Sequence, residues 1–329
     1  MMFIKLGVYV LQLKWRDKMQ KKILYLVTAL VIAIVLVSAI VVYTNPQITS
    51  DGKPITVVDD NGTEVTINSV PERIVSLAPG STEILFAVGA GDQVVGVTDY
   101  CDYPPKLTEQ IANGKTSSIG NYWMPSIEPI IALEPNLVIA SGGGASDEVA
   151  TKLRNLGYTV IVLNPQTVNN VLDNINLVGK ASGHTKEAAT LVDSLQKRID
   201  AIENKIVGIT DKPKIYVEVS DNPLMSVGPK SFISDLITLV GGVNIFADAD
   251  VTTPTVSSEV VIGKNPDIII STWASVDNFS KRAGWSSISA VANNKIYDVS
   301  KENIYQRPGP RFIDALEDLS KVLYPNIFA

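Results

Sequence analysis

The sequence predicts an α/β protein: two α/β lobes joined by a long α-helix and preceded by an N-terminal transmembrane helix. Three observations carry this. Short apolar runs of strand length alternate with helical patterns through most of the 329 residues, the mark of mostly parallel sheets covered by helices. Residues 184–207 break that rhythm with an unbroken amphipathic helical pattern. And SIEPIIALEPNLVIAS at Ser126–Ser141 returns as SSEVVIGKNPDIIIST at Ser257–Thr272, once on each side of that segment.

The N-terminal element is Ile23–Tyr43, 21 residues without a charge. As a helix it reaches about 30 Å, one hydrocarbon core. Lys14, Arg16, Lys18, Lys21 and Lys22 precede it and the stretch after it is nearly neutral. Positive-inside bias therefore puts residues 1–22 in the cytoplasm and the globular part outside. The other reading is a signal peptide cut near Val37-Ser38-Ala39, but the run continues past that point and is long for a signal's apolar core. No Cys follows the run, so a lipid anchor on cysteine is not expected. Met1 and Met19 are both candidate starts.

Residues 44–54 read as a polar linker. ITVVDDNGTEVTI then alternates on both sides of Asn61-Gly62, a hairpin signal. Strands are expected at Ile74–Ala78, Val94–Thr98, Leu137–Ser141, Thr159–Leu163, Lys214–Val219, Asp267–Thr272 and Lys295–Val299, with helices such as Ser146–Leu156 and Ser231–Val240 between them. In the long segment, Ala188, Leu191, Val192, Leu195, Ile199, Ile202 and Ile206 recur at spacings of three and four, one face of a helix. The predicted organisation is an N-terminal lobe at 55–183, an interlobe helix at 184–210 and a C-terminal lobe at 211–329.

Composition limits the chemistry. The formal net charge is -6 and no Lys/Arg run occurs in the globular part, which argues against nucleic acid as a partner. One cysteine, Cys101, and one histidine, His184, leave no intrachain disulfide and no Cys- or His-rich metal site. Ser141-Gly-Gly-Gly-Ala-Ser146 lies where a phosphate loop would, but lacks the P-loop lysine and reads as a tight turn or a glycine floor under a ligand. No cofactor, metal or enzymatic activity is expected.

The candidate site residues lie in loops. Tyr100 and Tyr103 flank Cys101-Asp102, Tyr122 and Trp123 precede Glu128, Trp273 follows the second copy of the repeated strand, and Trp285 and Tyr305 lie in later loops. Aromatics at strand ends in two lobes would line a cleft for a large flat ligand. Arg307 and Arg311 bracket Pro-Gly-Pro; Arg311 opens the last helix, where a cation opposes the helix dipole, so it needs a ligand anion or an internal acid. Glu83, after Gly-Ser-Thr, reads as a first-turn acid. Glu128 and Glu259 stand at the same place in each repeat and suit a two-fold partner with two basic spots.

The chain from about Ile55 onward resembles the cobalamin and iron-siderophore substrate-binding proteins of ABC importers, with the cobalamin binders nearest. The resemblance rests on ITVVDDNGTEVTI, PERIVSLAPGSTEILFAVGAGDQVVGVT, TDYCDYPP, SIEPIIALEPNLVIA, VGGVNIF, SSEVVIGKNPDIII and RPGPRFIDAL, in family order. It implies ligand held between the lobes and Glu128 and Glu259 paired with arginines of the two permease subunits. Tyr100 matches a cleft tyrosine and Tyr122 or Trp123 a cleft tryptophan, while a second-lobe tryptophan falls on Thr253 here. The expectation is a monomeric extracytoplasmic binding protein, tethered by its N-terminal helix, that takes a corrinoid and passes it to a permease with its ATPase. The expected ligand contacts are Tyr100, Tyr122, Trp123, Trp273, Tyr305, Arg307 and Arg311. Ferric siderophore and haem are the alternative ligands, and a membrane-anchored sensor the alternative role.

Overall fold

The computed structural model describes residues 54–273, 276–300 and 303–328, with the side chains of 276–278 excepted. The expected membrane span at 23–43 lies outside these residues. Among the described residues no helix is long and apolar enough to cross a membrane.

In chain order the strands are β1 (Ile55–Val58), β2 (Glu64–Ile67), β3 (Ile74–Ser76), β4 (Val94–Val97), β5 (Ser117–Ser118), β6 (Leu137–Ser141), β7 (Val160–Leu163), β8 (Lys214–Glu218), β9 (Ser220–Asp221), β10 (Leu224–Met225), β11 (Val243–Asn244), β12 (Ile268–Ser271) and β13 (Ile296–Asp298). The helices are α1 (Pro79–Ala87), α2 (Pro105–Ala112), α3 (Ile127–Ala132), α4 (Ala145–Asn155), α5 (Val168–Ser182), α6 (Thr185–Ile206), α7 (Phe232–Leu239), α8 (Ser258–Lys264), α9 (Ser289–Ala292), α10 (Phe312–Leu323) and α11 (Pro325–Phe328). The two-residue strands β5, β9, β10 and β11 had no periodic signal to announce them.

β1 and β2 form the expected hairpin, with Gly62 at φ 75°, a conformation glycine adopts freely. β5-β4-β3-β6-β7 make a parallel sheet in the first lobe, and β11-β8-β12-β13 a parallel sheet in the second. Both sheets are built outward from a central pair, β3 with β6 and β8 with β12. In such sheets the chain leaves a crevice beyond the carboxyl ends of the central strands, where connections diverge to opposite sides. The first sheet buries Val75, Leu77, Val138, Ala140, Val160 and Val162 with Leu153 of α4. The second buries Tyr216, Phe246, Ile269, Phe279, Trp285 and Ile288. Trp285 is therefore a core residue of the second lobe rather than a cleft aromatic.

The repeated sequence is a repeated structure. α3 and α8 each hold their Glu in the first turn, and each ends before a residue in the left-handed region, Glu134 and Asn265, both at φ 45°. A proline follows in both, and then β6 or β12. Leu137 pairs with Ile74 and Ile268 with Ile215, the same register in each lobe.

α6 spans about 33 Å by its length. Its stripe buries Ala188, Leu195, Ile199 and Ile202, with α5 packed so closely at its start that Gly179 has no room for a side chain beside Ala188. Arg198 on α6 holds Asp314 and Glu317 of α10, each at 2.8 Å. The lobes also meet directly: Asp235 of α7 accepts the backbone N–H of Val168, the first residue of α5, at 2.7 Å. Burial pushes the Asp235 carboxyl up.

Candidate functional site

The crevice of the first sheet opens at Ala78, just after β3, and Ser141, at the end of β6. Both line a cavity of about 310 Å³. Pro79, Gly80, Ser81 and Ile84 of α1 form its floor, and Leu163, Pro165 and Asn174 another wall. Across it runs the segment Asn303, Gln306, Arg307 and Pro308, which returns from the second lobe. Gln306 ties that segment to the second sheet by donating its side-chain amide to the Thr272 carbonyl at 2.9 Å. Backbone meets backbone at the floor: a side chain on Gly80 would lie 2.7 Å from the Pro308 carbonyl oxygen.

Tyr100, Tyr122 and Trp123 come together on this cavity. Their rings form an edge-to-face chain, with centroids 6.3 Å apart for Tyr100–Tyr122 and 4.9 Å for Tyr122–Trp123. Such edge-to-face packing sets each ring edge against its neighbour's face and fixes the three rings relative to one another. Asn121 caps this loop by accepting the Trp123 backbone N–H at 2.7 Å. Trp123 is 69% exposed and extends the wall out to the rim.

Arg307 also lines the cavity, but its charge is already met. It pairs with Asp102, donates to the Tyr100 carbonyl oxygen at 3.1 Å and lies 3.6 Å from Glu83. The Arg307 guanidinium in turn holds the Asp102 carboxyl below the usual carboxylate range. Arg311 makes a two-pronged pair with Glu83, at 2.9 and 2.6 Å, and sits 4.0 Å over the Tyr103 ring. The internal acid, not a ligand anion, is thus the partner of Arg311, and it is absent from the cavity wall. Glu83 is corrected with it: α1 starts at Pro79, so Glu83 lies mid-helix and buried, and its role is a salt bridge between distant parts of the chain rather than a first-turn charge.

Two further expected residues stand apart from this cavity. Tyr305 is 1% exposed, and its hydroxyl bonds Asp318 on α10, so it serves packing. Trp273 lies at the corresponding crevice of the second sheet and donates its indole N–H to Glu218 at 3.1 Å. Glu218, at the end of β8, is fully buried and also takes Arg282 in two bonds, at 2.5 and 2.8 Å, and the Tyr216 hydroxyl at 3.1 Å. This Glu218–Arg282 pair was not foreseen. Its only sequence signal is an acid at the end of an apolar strand, which has no partner until the chain brings Arg282 back.

Other sequence readings are settled by local geometry. Gly143 and Gly144 take φ of 99° and 59° in the turn before α4, and Asp147 occupies the Gly143 N–H at 2.8 Å. An acid on that donor leaves no phosphate cradle. Cys101 is buried, with the Thr82 and Thr98 hydroxyls each at 3.3 Å, and burial pushes its thiol up. No cluster of three metal-ligating side chains occurs among the described residues. Glu128 and Glu259 are both exposed. The Glu259 carboxyl sits below the usual range because backbone N–H and the Ser257 hydroxyl bond it.

Comparison with known proteins agrees with this geometry. A family model described as periplasmic binding protein matches residues 74–302. The uncharacterised ABC transporter substrate-binding lipoprotein YvrC of Bacillus subtilis (strain 168) is 33% identical over 282 residues, 84% of this chain and 87% of that protein. A vitamin B12-binding protein of Vibrio cholerae is 32% identical over 254 residues, 77% of this chain and 89% of that protein. The solved periplasmic heme-binding protein RhuT from Roseiflexus sp. RS-1, in apo form, superposes with a TM-score of 0.68 at 28% identity, over 77% of this chain and 98% of that one.

Proposed function

The chain belongs to the periplasmic binding protein family and is a substrate-binding protein of an ABC transporter, and from that premise we propose that it captures a corrinoid outside the cytoplasmic membrane and delivers it to its permease. One observation carries the choice of ligand: the cavity is walled by aromatic rings, and among the described residues its one charged lining residue, Arg307, is already neutralised by Asp102. A corrin is a large flat macrocycle whose peripheral groups are mostly neutral amides. It needs ring faces and hydrogen-bonding neighbours, and no free cation. Haem carries two propionates, whose desolvation would call for unpaired positive charge at the wall. A corrin is larger than this cavity, so it would be held by one edge, the rest standing out past Trp123. The relative from Vibrio cholerae, by its name a vitamin B12-binding protein, points the same way.

Delivery would rest on Glu128 and Glu259. Each is exposed in the first turn of a short helix that leads into a central strand, Glu128 before β6 and Glu259 before β12. A two-fold permease with one basic spot per subunit would meet both. Exposed pairs of this kind are each worth about 1 kcal/mol or less, which suits a partner that must be released after delivery.

The test is a titration of the protein with cyanocobalamin, a ferric hydroxamate and haemin, read by tryptophan fluorescence. Saturable quenching by cyanocobalamin, largely lost in Trp123→Phe, is expected. A response to haemin alone would overturn the neutral-cavity argument, and silence with all three would sink the ligand class.

A further inference from the structure

The two short helices that carry Glu128 and Glu259 are each pinned by a basic residue from the neighbouring strand, and the pinning is the same in both lobes. Arg73, directly before β3, donates Nε and Nη2 to the Leu133 carbonyl oxygen at 2.9 and 2.7 Å. Lys214, the first residue of β8, donates Nζ to the Lys264 carbonyl oxygen at 3.2 Å. Leu133 lies five residues after Glu128, and Lys264 five after Glu259. Each basic residue is locked in turn by a polar residue just beyond the proline. Asn136 accepts the Arg73 backbone N–H at 2.9 Å and returns its own N–H to the Arg73 carbonyl at 2.8 Å. Asp267 accepts the Lys214 N–H at 2.8 Å and returns its own to the Lys214 carbonyl at 2.8 Å.

We infer that Arg73 and Lys214 are positioning residues for the two docking acids, acting through the C-terminal turn of α3 and α8; this rests on the docking role proposed for Glu128 and Glu259. Helices of six and seven residues do not hold themselves in water, since the nucleation cost is recovered only over longer runs. α3 runs through Leu133 into left-handed Glu134 and Pro135, and α8 into left-handed Asn265 and Pro266, so the last helix-type hydrogen bonds are those of the Glu134 and Asn265 N–H groups, and the carbonyls of Leu133 and Lys264 are left for another donor. A cation on the terminal carbonyls satisfies groups that would otherwise be free and complements the negative end of the helix dipole. Because the helix is under two turns, whatever fixes its last carbonyl also fixes the first-turn Glu. The spacing between two acids on separate lobes is what a two-fold partner reads, and it survives only if both helices are held. The arms differ in stiffness: a guanidinium with two bonds in the first lobe, a single ammonium bond in the second.

Both basic residues are exposed, so their neutral variants are expected to fold. Spin labels at positions 128 and 259 in a Cys101→Ser background report the spacing by pulsed electron resonance, without any partner. Arg73→Gln and Lys214→Gln should broaden the distance distribution, more for Arg73→Gln, and Arg73→Lys should restore part of it. In the unlabelled protein the double Gln variant should bind the detergent-solubilised permease–ATPase complex about three- to tenfold more weakly, the loss of two helix-end contacts. Melting temperature and cyanocobalamin affinity should stay at the parent values. An unchanged distance distribution overturns the positioning inference. A broadened distribution with undiminished docking supports the pinning and overturns the docking role of the two acids, as would full docking by Glu128→Arg/Glu259→Arg.

Discussion

Arg307 and Arg311, four residues apart, are both engaged by carboxylates of the first lobe, Asp102 and Glu83. From sequence, Arg311 had two readings, ligand anion or internal acid, because a cation's partner can lie anywhere in the chain. Glu83 and Arg311 are separated by 228 positions, and no pattern within a helix-length window could join them. The Asp102 pair has a measurable signature. Its carboxyl is held below the usual range, chiefly by the hydrogen bond from Arg307. A carboxylate depressed in the folded state contributes stability above its unfolded value, about 3.9, and loses it as pH falls through the folded value. Stability should therefore drop on acidification below about pH 4, and Asp102→Asn should flatten that limb. The difference, read from denaturant midpoints at successive pH values, should stay below about 1 kcal/mol because Asp102 is largely exposed.

At the scale of elements, periodicity was a good guide wherever an element was long or alternating. The helix expected at 184–207 is α6, and of its predicted apolar stripe Ala188, Leu195, Ile199 and Ile202 are buried while Leu191, Val192 and Ile206 are half-buried. The Asn61-Gly62 hairpin and the core strands lie where alternation and apolar runs put them. What escaped was close approach. Gly179 reads as an ordinary weak spot in a helical pattern, yet an added side chain would stand 2.2 Å from Cβ of Ala188. Gly179→Ala should therefore push α5 off α6 and cost about 1–3 kcal/mol in chemical denaturation, as overpacking does. Gly263→Ala in α8, where nothing lies within 4 Å, is the control and should be neutral or stabilising by up to about 1 kcal/mol.

For the whole molecule, residues from Ser50 onward form one compact unit. That unit has two sheets, each with its own buried cluster, and several direct ties between them: Asp235 to Val168, Arg311 to Glu83, and Arg307 to Asp102. Both sheets and the lining of the candidate site lie within it. A protein beginning at Ser50 should therefore be a soluble monomer by size-exclusion chromatography and should bind cyanocobalamin as the full chain does. Aggregation of that protein would count against a segment that only tethers.

By itself the sequence determined the α/β class, the two-lobed plan, the long helix between the lobes and the duplicated unit around Glu128 and Glu259. Those features are local or periodic: they follow from the spacing of apolar residues, from turn chemistry and from a repeat visible in one dimension. The aromatic loop at Tyr122-Trp123 was also legible, since exposed rings beside a strand end have few structural uses. Only the tertiary structure decided which cations remain free for a ligand and which aromatics are core. Trp285 is buried against Tyr216, Glu218 finds Arg282 across 64 positions, and Arg73 and Lys214 grip carbonyls 60 and 50 positions further on. Long-range pairing depends on where the chain returns, and charge and ring chemistry carry no record of that in their neighbours.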